Sequence, residues 1–262
     1  MNLIDNQLNK IKKDKKMGLM THVVVGYPSL EKTNSIVAAM EKAGADFVEL
    51  QIPFSDPLAD GPTIMKACER SLELGTKVAD SFRVAEKLSK SCSIPLLFMA
   101  YFNILFVYGV EKFCRDAEKA GISGLIVPDM PIEEEENEHF LQFCKKYNVY
   151  NIPVISPSST DDRLRKNAAV ARGFVYATAP QGITDAKKGL DPKIELFLKR
   201  VKKYFSVPVA VGFGISSKER VDMIKKYADI VVVGSAIIDV INCSENHEEE
   251  AVKRFIHSLA VA

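Results

Sequence analysis

Eight short apolar runs, each followed by an amphipathic segment, leave this 262-residue chain few folds to choose from. The runs are Met20–Val25, Phe47–Ile52, Leu96–Tyr101, Gly124–Val127, Tyr150–Ile155, Phe174–Thr178, Pro208–Val211 and Ile230–Val233. The segments that follow them are Glu31–Lys42, Val78–Ser91, Val110–Ala120, Glu133–Lys146, Asp161–Val170, Lys193–Tyr204, Lys218–Tyr227 and Glu248–Leu259. Apolar runs of about four to eight residues alternating with helical periodicity specify parallel βαβ units. Eight units in this length predict one α/β domain, a single (β/α)8 TIM barrel over residues 1–262, since that fold typically fills about 250 residues. An extra N-terminal helix precedes the first unit and a short helix follows strand 8. A doubly wound open sheet is the alternative.

The punctuation agrees. Gly44 and Gly121 stand where a helix ends and φ turns positive. Pro95 and Pro208 open strands, where a missing N–H is tolerated. Pro131 followed by Glu133–Glu136 reads as a helix start with carboxylates against the positive end of the dipole. The lysines of Lys10–Lys16 read as the solvated face of the N-terminal helix.

Composition then narrows the function classes. Lysine plus arginine (35) nearly cancels aspartate plus glutamate (34), so no general polyanion-binding surface, and hence no nucleic acid partner, is expected. A 47% hydrophobic content excludes disorder. No apolar run approaches the ~18 residues of a membrane span, and Met1–Lys16 lacks the apolar core of a signal peptide. The five cysteines never form a Cys-x-x-Cys pair, which points to reduced thiols in a cytoplasm rather than a disulfide framework or a zinc site. The four histidines are dispersed, and metal binding has no support.

A barrel of this type places its chemistry at strand C-terminal ends and in the loops beyond them. Glu49 interrupts an apolar strand and alternates onto one face with Phe47 and Gln51. A lumen-facing carboxylate must be paired, protonated or functional. The loop after it, rich in proline and closed by Gly61, returns a second carboxylate, Asp60, to the barrel mouth. Gly212-Phe213-Gly214 after strand 7 and Gly234-Ser235 after strand 8 form the recurrent phosphate site of this architecture, with Ser235 opening a short helix. A dinucleotide-binding reading of Gly212-x-Gly214 lacks its third glycine. Residues Phe174–Asp185, with Tyr176 on the lumen side and Thr184 in the loop, have the makeup of a mobile lid. Tyr101, Asn103 and Asp129 are polar groups at the same rim.

The run Glu49-Leu50-x-Ile52-Pro53-Phe54-Ser55-Asp56-Pro57-x-Ala59-Asp60-Gly61-Pro62 closely resembles the signature of the tryptophan synthase α subunit family. So do Gly26-Tyr27-Pro28, Met99-x-Tyr101-x-Asn103, Val127-Pro128-Asp129-x-Pro131, Gly212-Phe213-Gly214-Ile215 and Gly234-Ser235-Ala236. The resemblance implies a lyase that cleaves indole-3-glycerol phosphate to indole and glyceraldehyde 3-phosphate by a retro-aldol reaction. It implies that Glu49 protonates indole C3 and helps remove the side-chain hydroxyl proton, and that Asp60 stabilises charge developing at the indole N–H. Tyr176 would support Glu49, and Tyr101, Thr184, Gly212, Phe213, Gly214, Gly234 and Ser235 would bind substrate. The two-carboxylate logic also stands alone, because breaking this bond needs an acid on one side and a counter-charge on another. No cofactor is implied in this subunit. The implied partner is a pyridoxal-phosphate β subunit, in an α2β2 heterotetramer, with Asp56, Pro57, Asn103 and Pro131 in the matching interface regions.

Three departures bear on the site. Gln51 stands where the family usually has glycine, so it is expected to hydrogen-bond Glu49 or crowd the indole. Asp185 replaces a second glycine after Thr184. His22 and Val24 replace an aromatic residue and a threonine on strand 1. Gln51 and Asp185 motivate a second reading, a catalytically weak α subunit that acts mainly as an allosteric activator of its β partner. A third is another phosphate-binding barrel, such as a sugar-phosphate isomerase.

Overall fold

The computed structural model describes residues 1–178, 184–185, 189–212 and 214–259. Its strands are β1 (Gly18–Val24), β2 (Phe47–Gln51), β3 (Leu96–Met99), β4 (Ile122–Ile126), β5 (Tyr150–Asn151 and Val154–Ile155), β6 (Val175–Thr178), β7 (Val209–Gly212) and β8 (Ile230–Val233). Neighbours pair in parallel in the order β5-β4-β3-β2-β1-β8-β7-β6. β5 closes the ring. Its first piece pairs with β4, Gly124 opposite Tyr150, and its second with β6, Val154 opposite Tyr176. Pro153, with no N–H to give the ladder, separates the two pieces, yet its carbonyl accepts from Tyr176 N at 2.9 Å. The expected (β/α)8 barrel is the observed fold.

Strand alternation sorts the apolar side chains into two layers. One packs between strands and helices and includes Leu19, Val48, Leu50, Phe98, Val175 and Val231. The other fills the lumen with Met20, Phe47, Leu97, Ile126, Phe174, Ala210 and Ile230. Phe47 and Phe174 meet there edge to face, 5.6 Å between centroids. Ile4 and Ile11 of the N-terminal helix α1 (Leu3–Asp14) join the lumen cluster from below, so α1 plugs the floor and leaves the upper rim for chemistry.

Polar contacts fix that plug. Asp46 accepts from Gln7 Nε2 at 2.6 Å and from Leu19 N at 3.0 Å, and pairs with Lys16 at 2.8 Å. Lys16 is thus an anchor rather than part of a solvated lysine face. Asn2 caps α1, its Oδ1 accepting from Ile4 N, while its Nδ2 donates to the carbonyls of Ser123 and Asn148. Asn2→Ala should therefore lower the unfolding free energy by about 1–2 kcal/mol. Urea unfolding of the two proteins checks this, and an unchanged midpoint would remove α1 from the stability of the barrel.

The helices after α1 are α2 (Leu30–Lys42), α3 (Pro62–Glu73), α4 (Val78–Ser89), α5 (Phe102–Tyr108), α6 (Val110–Lys119), α7 (Glu135–Glu138), α8 (Phe140–Lys146), α9 (Asp161–Val170), α10 (Pro192–Tyr204), α11 (Lys218–Ile224), α12 (Ser235–Asn242) and α13 (Glu248–Leu259). α3 and α5 are second helices in connections where the sequence pattern shows one amphipathic segment each. α3 begins at Gly61 with Pro62 at its first position and buries Ala67, Cys68 and Ser71. The helix expected at Glu133–Lys146 is broken. A 3-10 turn (Ile132–Glu134) leads into α7, His139 takes a left-handed φ of 55°, and α8 starts afresh. Glu135 carries the acidic cap one helix further, its carboxylate accepting from the backbone N–H groups of Leu141 and Gln142. The short helix expected after strand 8 is α12.

Candidate active site

The upper rim encloses a cavity of about 630 Å³ lined by His22, Glu49, Asp60, Ile64, Met99, Tyr176, Thr178, Gly212, Gly214, Gly234 and Ser235, among others. Glu49, Asp60, Tyr176, Gly212, Gly214, Gly234 and Ser235, all expected at the site from the sequence, reach this space. A larger cleft of about 780 Å³ lies under α1 at the opposite end, but its acidic residues, Asp5 and Asp229, are not buried. The chemistry belongs to the rim. Among the described residues no group of three His, Cys, Asp or Glu is placed to hold a metal.

β2 presents Glu49 inward from its central position, 1% exposed. Beside it, in register on β1, sits His22, equally buried, with Nδ1 3.4 Å from Glu49 Oε2. Neither His22 Nε2 nor Glu49 Oε2 has a hydrogen-bond partner among the described residues. Burial works against charge on His22, but Glu49 and, more weakly, Asp60 outweigh it and hold the imidazole pKa above its ordinary value.

Asp60 reaches the same cavity because the loop after β2 folds back. Its Oδ2 accepts from Gln51 Nε2 at 2.6 Å and from the Tyr101 hydroxyl at 2.9 Å. Tyr101 in turn accepts from Ala59 N at 2.9 Å and stacks on Phe54, so one side chain from the end of β3 pins the whole loop. Burial raises the Asp60 pKa, His22, Gln51 and Tyr101 pull it back, and Glu49 pushes it up again. The net direction is upward. Gln51 thus departs from expectation: it turns to Asp60 and the Cys68 thiol, not to Glu49. A buried amide donor satisfies the carboxylate it can reach, and the returning loop brings Asp60 to it.

Tyr176 projects from β6, and burial followed by the charges of Glu49 and Asp60 holds its hydroxyl pKa well above the ordinary phenol value. Gly212 makes room for it. A Cβ at 212 would lie 2.7 Å from the Tyr176 hydroxyl and 2.8 Å from its ring. On the other side of the cavity, α12 starts at Gly234 with no side-chain cap, so its first N–H groups are open to an anion. Asp129, at the rim, accepts from Phe102 N at 2.8 Å and thereby caps α5. Phe213 lies outside the described residues. Thr184 and Asp185 pair in a short antiparallel ladder with Leu190 and Gly189, and their side chains, like residues 179–183 of the expected lid and residues 186–188 beyond it, also lie outside them.

Sequence reasoning missed how Gln51 and His22 sit. Gln51 shares Glu49's face by alternation, but which carboxylate it meets depends on the loop. His22 sits in register with Glu49, which only strand pairing reveals.

The family model described as Tryptophan synthase alpha chain matches residues 8–261. The tryptophan synthase alpha chain of Thermoanaerobacter sp. (strain X514) is 40% identical over 261 residues, 99% of this chain and 98% of that protein. That of Desulfotalea psychrophila is 41% identical over 256 residues, covering 98% and 99%. The crystal structure of tryptophan synthase subunit alpha from Legionella pneumophila str. Paris superposes with a TM-score of 0.91 at 30% identity, covering 99% of this chain and 97% of that one. With sequence, barrel and rim in agreement, the chain belongs to the tryptophan synthase alpha chain family.

Proposed function

We propose that this chain cleaves indole-3-glycerol phosphate to indole and glyceraldehyde 3-phosphate, with Glu49 and Asp60 as its acid–base and counter-charge groups. The observation that carries the reading is a single cavity holding two carboxylates in different settings, one buried beside a histidine and one bonded by an amide and a phenol. The C–C bond breaks when the side-chain hydroxyl gives up its proton and indole C3 gains one. Glu49 is the group placed to handle both. Asp60, at the mouth, faces the positive charge that develops on the indole nitrogen. Tyr176 packs between Glu49 and the glycine end and supports both. Gly212, Phe213, Gly214, Gly234 and Ser235, with Thr184, hold the phosphate through backbone N–H groups and the start of α12. Tyr101 lines up Asp60 and shapes the indole end.

The step needs no cofactor in this chain; pyridoxal phosphate belongs to the β partner. Release of glyceraldehyde 3-phosphate from indole-3-glycerol phosphate, followed with and without β subunit, tests the reading. Good cleavage by the complex would eliminate the weak-subunit alternative, and turnover only of a substrate lacking indole would replace the reading with a sugar-phosphate one.

A β subunit fits the rim above the site, and the assembly is an α2β2 heterotetramer working in the cytoplasm. No described helix is long and apolar enough to cross a membrane. Leu58 in the β2 loop and Phe106 and Val107 on α5 are 92%, 61% and 80% exposed, large apolar side chains on neighbouring rim segments that also carry Asp56, Pro57 and Asn103. Exposed aromatic anchors of this kind carry much of an interface's affinity. Phe106→Asp should weaken binding to the β subunit at least tenfold, ~1.4 kcal/mol or more. Titration calorimetry with purified β subunit reads this out, and an unchanged affinity would move the docking face elsewhere.

A further inference from the structure

Of the buried titratable side chains lining the cavity, the mechanism above leaves His22 unused. His22 is 3% exposed on β1, its Nδ1 is 3.4 Å from Glu49 Oε2, and its Nε2 has no hydrogen-bond partner among the described residues. A histidine needed only for packing would be replaceable by an apolar ring. This one stands in register with the acid–base carboxylate, with the unsubstituted backbone of Gly234 against its Cβ and Cγ at 3.6 and 3.7 Å from a hypothetical Cβ.

We propose that His22 is a positioning residue for Glu49: its protonated ring fixes the carboxylate's orientation and supplies the positive charge beside it, so that cleavage depends on the protonation of the histidine. The proposal rests on the lyase reading. Two features of the site support it. First, the separation exceeds an ordinary hydrogen bond but sits well inside ion-pair range, and contacts of this kind tighten once substrate excludes water. Second, the charged and titratable groups among the described residues lining the cavity are His22, Glu49, Asp60, Tyr176 and Arg163. Arg163 is ion-paired with Glu133 at 3.1 Å, so His22 is the cation in contact with Glu49. The sign follows from its surroundings. Burial lowers the His22 pKa, Glu49 and Asp60 raise it further than burial lowers it, and the ring keeps its proton to a higher pH than a free histidine. Positioning is therefore present below the raised value and is lost as pH rises through it.

His22→Phe keeps the ring and removes the charge. The ratio of wild-type to His22→Phe kcat should be about tenfold below the raised pKa, the equivalent of one pK unit. It should approach one above that pKa, with KM little changed. His22→Asn, which retains a donor near the Nδ1 position, should recover part of kcat but none of the pH dependence. A ratio that is constant across pH would show a packing role only and overturn the proposal. A second measurement does not require turnover. The His22 ring nitrogens, followed by NMR titration, should lose their raised pKa in Glu49→Gln, and an unchanged titration would equally overturn it. If the wild-type complex cleaves nothing, the lyase reading fails while the NMR comparison still decides the pair.

Discussion

Replacing Glu49 by glutamine should lower indole release from indole-3-glycerol phosphate by about 10²–10⁴-fold, the range a single acid–base group supplies. The substitution changes shape little. Glutamine fits the same 1%-exposed slot in the middle of β2 and leaves the strand's pairing with β1 and β3 intact. What it removes is the ability to take a proton from the side-chain hydroxyl and give one to indole C3. Stability should hold up better than the buried pair suggests. Removing one partner of a buried ion pair is severe when the other stays charged, but His22 can lose its proton and become neutral. The variant should thus melt cooperatively near the wild-type temperature, bind the β subunit, and fail only in cleavage. Indole release measured in single turnover, beside circular dichroism melts, separates these outcomes. A variant that keeps the wild-type rate would take Glu49 out of the mechanism.

Much of this site was readable from residue order, and the parts that were not have a common cause. Period-2 alternation sends every second residue of β2 inward, so Glu49 could be placed in the lumen without a structure. The glycine clusters after β7 and β8 were equally accessible, because they lie at fixed positions in the eight-unit count. What alternation cannot give is the identity of a neighbour. Gln51 shares Glu49's face, yet it bonds Asp60, since the proline-rich loop folds back with Tyr101 holding Ala59 and Asp60 from β3. That closure joins three segments distant in sequence and has no period. His22 is the same case on the other side, where only the parallel register sets it against Glu49. The helices α3 and α5 escaped notice because each crowds into a βα connection already credited with one helix. Pro62 was nonetheless a first-position signal, followed by apolar residues at helical spacing. The break at His139 was hidden because a left-handed residue inside an acidic, amphipathic stretch leaves its periodicity almost unchanged.

Asp60→Asn should reduce cleavage by about 10²–10³-fold, the effect of removing one preorganised electrostatic group from a water-poor site. Asparagine retains one oxygen for Gln51 Nε2 or the Tyr101 hydroxyl, so the loop should keep its fold while the counter-charge to the indole nitrogen disappears. The pH profile sharpens the test. Burial and the nearby Glu49 raise the Asp60 pKa more than His22, Gln51 and Tyr101 lower it, so protonation sets in at a higher pH than for an exposed carboxylate. Activity carried by the ionised form is therefore present above that value and lost as pH falls through it. Asp60→Asn should be slow throughout and lack this acid limb. Gln51→Gly gives the complementary result. It deletes a donor that favours the carboxylate, so it should shift the acid limb to higher pH, with a smaller rate loss at neutral pH than Asp60→Asn. That outcome would make Gln51 a support for Asp60, whereas faster cleavage with a lower KM would mean that the amide crowds the indole. An unmoved acid limb in Gln51→Gly would sink the coupling between them, and wild-type rates in Asp60→Asn would assign the counter-charge to another group.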